Sequence, residues 1–410
     1  MKSCIHRGAK QIGGSCVEIE HDGARLVIDC GMPLDTEVDD PKLLPPVNTA
    51  GLLAVLISHG HADHYGLAHH LPDTIPVAMG AAARRIIQVA APFSYKAPPA
   101  FAGPDFENGK PLQFGPFTVT PYLVDHSAYD AYAVLVEAGG RRLFYSGDLR
   151  SHGRKAACME RMVANPPSNI DALIMEGTAL SRMDDTTDPL AEEGVEARFA
   201  AIMRETKGLV MVHTSAQNID RVVSLFKAAK HTGRTLLIDL YTAVILEATG
   251  NASLPQSDWR GISLCIPQRQ RVQIKNNQWF AQLETHNRNR VYLDAAVAHD
   301  PSKYVLLFRP LWMRDLSDAG VLAGATLIYS QWEGYLKDGK FAAMEEWLAA
   351  HSIPLEVAHT SGHASVKFLS RFVEAMKPKA LVPIHSFSPE RYASFYPDTV
   401  LRADGEWWDV

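Results

Sequence analysis

Hydrophobic and polar positions change their period several times along this chain of 410 residues. Residues 16–20 (Cys, Val, Glu, Ile, Glu) alternate, His21, Asp22 and Gly23 supply a turn, and 25–29 (Arg, Leu, Val, Ile, Asp) resume. Side chains of a strand point to opposite faces in turn, so this opening predicts two strands of one half of a β-sandwich. Residues 52–58 are almost wholly apolar and predict a buried strand that ends immediately before a run of histidines. A helix is predicted over 81–91, carrying Arg84 and Arg85, and the proline-rich stretch 97–104 breaks it. Three strands follow at 117–121, 133–136 and 142–145, the second after His126 and the third leading into Ser146, Gly147 and Asp148. Residues 170–176 form another apolar strand, closed by Glu176.

Beyond Glu176 the texture changes. Helices are predicted over 188–205 and 218–230, and buried strands over 209–212, 236–239 and 304–308. Strands alternating with helices of this length predict βαβ units around a parallel sheet. The block from about 180 to 350 therefore reads as an inserted α/β domain. Strand, helix and strand at 355–359, 365–376 and 380–385 return the chain to the first domain, and no internal repeat is visible.

Composition changes this picture little. Apolar residues make up 47% and charged residues 21%, which fits a globular chain and excludes a disordered one. A length of 410 residues exceeds one compact core, so two domains are expected. No apolar run reaches the roughly 18 residues of a membrane span, and residues 1–10 lack the apolar core of a signal peptide. The five cysteines are scattered without CxxC spacing, which argues against a disulfide framework or a cysteine-held zinc and for a reducing cytoplasm. A net charge of −6 counts mildly against a polyanionic substrate, although a local basic groove is compatible with it.

The chemistry concentrates in histidines. His59 and His61 sit two apart on one short loop and can reach one ion, while Asp63 and His64 can serve a second ion beside it. The bland alternative is a histidine-rich surface loop, but four such ligands in six residues, directly after a buried strand, favour a metal site. His126 and Asp148 both lie beside predicted strands and are natural further ligands, Asp148 as a bridge. Alone, each would read as structural.

These motifs resemble the metallo-β-lactamase superfamily over most of the chain. More narrowly they resemble the β-CASP nucleases, the group containing ribonuclease J, the pre-mRNA 3′-end endonuclease and Artemis. Asp29 stands where that family has an acid closing an early strand, and the run His59 to His64, His126 and Asp148 follow in order. Glu176, His363 and His385 then match the three β-CASP marks, with the first two flanking the inserted block. The fold implied is an α/β metallo-β-lactamase αββα sandwich at 1–180 and 350–410, interrupted by a β-CASP α/β cap at 181–349. Two departures stand out: Ser386 and Phe387 replace the Gly-Glu usual in ribonuclease J, and the 25 residues after His385 leave no room for that enzyme's C-terminal domain.

The resemblance implies two zinc ions, with manganese as the alternative metal. His59, His61 and His126 would hold one, Asp63, His64 and His385 the other, with Asp148 shared. The activity implied is hydrolysis of phosphodiester bonds, most simply in single-stranded RNA, by a metal-activated hydroxide. Asp63, Glu176 and His363 are the catalytic candidates, His363 as contact or proton donor at the scissile phosphate and Glu176 as its orienting acid. Asp29 would fix a ligand histidine.

His213 and Ser215, before the helix at 218–230, and Ser365, at the start of another, offer backbone N–H groups to a phosphate. The plain alternative is that Thr214 or Ser215 caps the helix. Arg269 and Arg271 lie in a basic segment with Trp279 and Phe280 that suits a single strand. His6, His21, His69, His70, His231 and His351 read as surface residues, the pair at 69–70 on a helix. His385 favours RNA, because the resembled family has histidine there in RNA-processing members and valine in DNA-processing ones. RNA is thus the expected partner and DNA the lesser one, with no membrane and a homodimer as candidate assembly. A DNA nuclease of the same clan, a small-molecule ester or lactone hydrolase, and an inactive scaffold remain as alternatives.

Overall fold

A computed structural model of the chain describes residues 1–36, 38–182, 189–337, 339 and 341–410. The chain divides into two compact units: Met1–Gln88, Ala97–Asp188 and Gly362–Val410 form one, Val89–Lys96 and Pro189–Ser361 the other.

The first unit is built from two sheets. In one, the strands lie in the order Trp407–Asp409, Lys2–Arg7, Cys16–His21, Ala24–Ile28, Leu52–Leu56, Val77–Gly80 and Asp105–Phe106. In the other the order is Ala380–Ile384, Ala172–Glu176, Arg141–Tyr145, Tyr132–Ala138, Phe117–Leu123 and Leu112–Phe114. Their inner faces share one core, in which Ile19, Leu26, Ile28 and Leu56 of the first sheet meet Val119, Val134, Leu143 and Ile174 of the second. The alternation explains the layering: Val27 and Val55 point the other way, to a cluster with Ala83 and Ile87 of the helix Ala81–Ala90. The second sheet's outer face, with Leu135, Phe144 and Leu173, is covered by Met159 of Ala156–Ala164 and Phe372 of Val366–Met376. Helix, sheet, sheet and helix stack as expected of an αββα sandwich. Strands buried on both faces have no polar side, which is why 52–58 reads as unbroken apolar sequence.

The second unit holds a six-stranded sheet that is parallel throughout, in the order Ile262–Leu264, Thr235–Ile238, Tyr304–Phe308, Val210–His213, Thr326–Tyr329 and Leu355–Val357. Its helices include Glu192–Glu205, Ile219–His231 and Leu240–Ala248. The helix expected from 188 therefore begins at Glu192, and residue 188 lies outside the described residues. The strand expected at 355–359 forms the edge of this second sheet, whereas the sequence suggested a return to the first domain from 350. Only its middle residue, Glu356, is even half-buried, so its hydrophobic pattern says nothing about which sheet it joins. All five cysteines are free thiols. Among the described residues no helix is long and apolar enough to cross a membrane.

Candidate metal centre

The histidine run leaves the strand Leu52–Leu56 through buried Ile57 and Ser58 and is gripped by the turn after Ala24–Ile28 and by Ser15, just before Cys16–His21. Cys30 N–H donates to the carbonyl of His64 at 2.7 Å, Met32 N–H to that of Ala62 at 2.9 Å, and Ser15 N–H to that of Asp63 at 3.1 Å. Gly31 makes this approach feasible, since a Cβ there would lie 1.7 Å from the Asp63 carbonyl oxygen. Asp29 and His385 both adopt left-handed backbone, with φ of +57° and +53°. Such conformations are uncommon outside glycine and persist where surrounding bonds hold them.

Those bonds are present at Asp29. Its carboxylate accepts from Ser58 N–H at 2.7 Å, from the Ser58 hydroxyl at 2.8 Å and from the Tyr145 hydroxyl at 2.7 Å. It also meets Nδ1 of His64 at 2.7 Å, so that the His64 Nε2 is the nitrogen turned to Asp148, 3.2 Å away. His126 is fixed likewise, its Nδ1 lying 2.7 Å from the Gly362 carbonyl and its Nε2 3.2 Å from Nδ1 of His61. His59 Nδ1 lies 3.0 Å from the Ser58 hydroxyl. His385 is held through Nδ1 by Ser15 Oγ at 2.9 Å and Gly13 N–H at 3.2 Å, with Nε2 3.8 Å from Asp63 and 3.7 Å from Asp148.

The outcome is a set of overlapping triplets. One donor atom each from His59, His61 and His126 lie within 4.8 Å of one another, and so do those of Asp63, His64 and His385. Asp148 completes a triplet with His59 and His64, and another with His363 and His385. Nε2 of His59 and Oδ1 of Asp148 are buried with no hydrogen-bond partner. Each unpartnered buried polar group costs about 1–3 kcal/mol, a deficit that a divalent cation among these atoms would remove. Imidazole nitrogens with carboxylate oxygens are the donor set of zinc and similar ions, so the residues fit.

Electrostatics agrees. Burial, reinforced by neighbouring imidazoles, holds His59 and His126 well below the usual histidine range. Burial also lowers His61 and His385, though Asp148 opposes it at both. Neutral imidazole is the form that ligates metal. Burial disfavours ionised Asp148, yet His385, His64 and His363 together hold its carboxyl well below the usual carboxylate range. At His64 burial opposes charge, but Asp148 and Asp29 overcome it and raise the pKa well above the ordinary value, a field that equally favours a cation at Nε2.

His363, a member of the last of these triplets, also pairs with an acid outside them. Its Nδ1 is 3.2 and 3.1 Å from the two oxygens of Glu176, whose carboxylate also accepts from Leu149 N–H at 2.9 Å. Burial opposes protonation of His363, but Glu176 and then Asp148 push its pKa up to about 9. With 22% of its side chain exposed, it is within reach of solvent, and Glu176 beside it favours its protonated form.

In the second unit His213 ends the strand Val210–His213 among Phe308, Tyr329 and Phe341, and burial, then Arg309, brings its pKa down to about 4. The cap of the next helix is neither Thr214 nor Ser215 but Asn218, whose side chain accepts from Arg221 N–H at 3.1 Å. Ser215 is exposed and its hydroxyl accepts from Gln217 N–H. Arg269 stands over the Tyr95 ring at 5.7 Å, and Arg271 lines a cavity of about 230 Å³. In the first unit Ser365 caps Val366–Met376 by accepting from Phe368 N–H. His6 is no surface residue: it lies 2.6 Å from buried Glu18, on a neighbouring strand that local sequence does not reveal. His69 and His70 occupy a short 3-10 turn and share Asp39. Sequence reasoning missed Ser58, Tyr145, Ser15 and Gly362, which hold the ligands. Of these only Ser58, adjacent to the run, carries a local signal.

The family model described as Beta-lactamase superfamily domain matches residues 24–238. Ribonuclease J of Mycobacterium tuberculosis is 28% identical over 243 residues, 55% of this chain and 42% of that protein. Ribonuclease J of Mycoplasma genitalium is 23% identical over 402 residues, 92% of this chain and 66% of that protein. The chain thus matches about half of its curated relatives' length. A crystal structure of a protein of unknown function from Enterococcus faecalis V583 shares the fold, with a TM-score of 0.82 over 99% of both chains at 19% identity. The chain belongs to the beta-lactamase superfamily and is similar to ribonuclease J over more than half of its length.

Proposed function

We propose that this chain is a zinc-dependent nuclease that hydrolyses phosphodiester bonds, with single-stranded RNA as substrate. The observation that carries the reading is the pair of ligand triplets with Asp148 common to neighbours of both. His59, His61 and His126 would hold one ion and Asp63, His64 and His385 the other, with manganese as the alternative metal. Two such ions supply Lewis acidity, which lowers the pKa of water from about 15.7 toward about 7 and stabilises charge on phosphate oxygens.

The chain's own residues do the rest. Asp29 keeps the proton of His64 on Nδ1 and so presents Nε2 to the metal position. Asp63 joins ligation with catalysis at the same position. His363, partly exposed and paired with Glu176, which favours its protonated form, is suited to contact the scissile phosphate or to give its proton to the departing oxygen. Glu176 orients that imidazole and keeps it charged. The second unit serves as the β-CASP cap, and His213, Ser215, Arg269 and Arg271 there, with Ser365 in the first unit, are the candidate contacts to substrate phosphates. RNA rather than DNA is supported by His385 and by the ribonuclease J relatives.

Time courses of cleavage on matched single-stranded RNA and DNA, with 5′-hydroxyl and 5′-monophosphate ends, test this reading. RNA should be cut faster. Equal rates on DNA would remove the RNA assignment, and no cleavage of either by zinc-loaded protein would remove the nuclease.

A further inference from the structure

In the second unit the parallel strands Thr235–Ile238 and Ile262–Leu264 begin side by side. Their starts lie at the end of the sheet opposite to His213 and Arg309, which close or follow neighbouring strands. There an open groove of about 450 Å³ is lined by Thr235, Arg260, Ser263, Arg288, Asn289 and Arg290, and Asp258 is its one carboxylate. Three other arginines of this unit are engaged: Arg221 pairs with Glu192, Arg309 with Asp239, and Arg234 donates to four backbone carbonyls. Arg260, Arg288 and Arg290 have no ion-pair partner among the described residues.

Arg290 is the best placed of the three. Its segment is pinned along the sheet edge, Val291 N–H donating to the Leu264 carbonyl at 2.9 Å, and its guanidinium stacks on Tyr292 at 4.8 Å. Its Nε is buried with no acceptor. Three guanidinium groups against one carboxylate repel one another unless an anion joins them, and fork-shaped donors match phosphate oxygens.

We propose that this groove is an exosite for phosphate groups, supplied by the backbone of a bound single strand, at the end of the sheet remote from His213. The strand as source rests on the nucleic-acid reading above, whereas free nucleoside polyphosphate is the other source of the same chemistry. The test measures binding to the full, metal-loaded chain by fluorescence anisotropy. Its probes are a labelled 2′-O-methyl oligoribonucleotide of about 20 residues, chosen to resist cleavage, and ATP. Exposed Arg260 and Arg288 are replaced together (R260S/R288S), and R290S is made separately.

The oligonucleotide should bind about tenfold more weakly to the double variant. Two lost phosphate contacts should also reduce the slope of log affinity against log salt by about 1.4. Loss of ATP binding with unchanged oligonucleotide binding would keep the phosphate site and assign it to a free polyphosphate. Unchanged binding of both probes to both variants, each melting like the parent, would overturn the exosite. If that happened while RNA was still cleaved, the nuclease reading would survive. If binding fell but no RNA was ever cleaved, the exosite would stand and the nuclease reading would fail.

Discussion

Nδ1 of His64 lies 2.7 Å from Oδ2 of Asp29, an acid 35 positions earlier that touches none of the candidate metal positions itself. Through this bond a strand-end carboxylate decides which nitrogen of His64 is free for a cation. Its other acceptor sites are filled by Ser58 and Tyr145, so the orientation is fixed before any ion arrives.

Asp29→Asn should therefore weaken metal binding without removing a ligand. Partners of this kind are typically worth 10–100-fold in metal affinity, and a loss of about that size is expected. Competition against a chromophoric chelator reads it directly. Affinity equal to the parent's would show that His64 needs no such support.

His363→Ala should leave zinc content near normal and reduce cleavage by about 10²–10⁴-fold, the usual range for loss of a positioned acid. It rests on the bond of His363 to Glu176, which lies apart from the two ligand sets proposed for the ions. Loss of one ion in this variant would make His363 a ligand instead, a role its triplet with Asp148 and His385 makes geometrically open.

A pH dependence follows from His213. Its folded pKa of about 4 lies below the ordinary value of 6.5, so as pH falls the unfolded chain takes up this proton first. The stability it contributes is complete above about pH 6.5 and is lost between there and about pH 4, roughly 3 kcal/mol in all. His213→Leu should flatten that part of the curve of unfolding free energy against pH. Identical curves for parent and variant would show that burial of His213 carries no such linkage.

Some of this was legible in sequence because it is local. The run His59 to His64 follows a strand whose apolar continuity comes from being covered on both faces, and the alternation of Cys16–His21 with Ala24–Ile28 shows in residue order. The supporting contacts are not local. The carbonyl that orients His126 belongs to Gly362, 236 positions away, and the hydroxyl on Asp29 comes from Tyr145, 116 positions away. His6 was misread because Glu18 reaches it only through strand pairing. Asn218 won the helix cap because the first turn begins later than the cluster of Thr214 and Ser215 suggests.

The central claim is that Asp148 is common to two metal positions, and metal analysis of the parent chain against Asp148→Asn tests it most directly. The parent should carry about two zinc ions per chain, since donor triplets form on both sides of this carboxylate. The variant should lose occupancy at both positions, falling well below one tightly held ion while still folding. One tightly held ion in the parent, retained unchanged in Asp148→Asn, would contradict the two-metal centre.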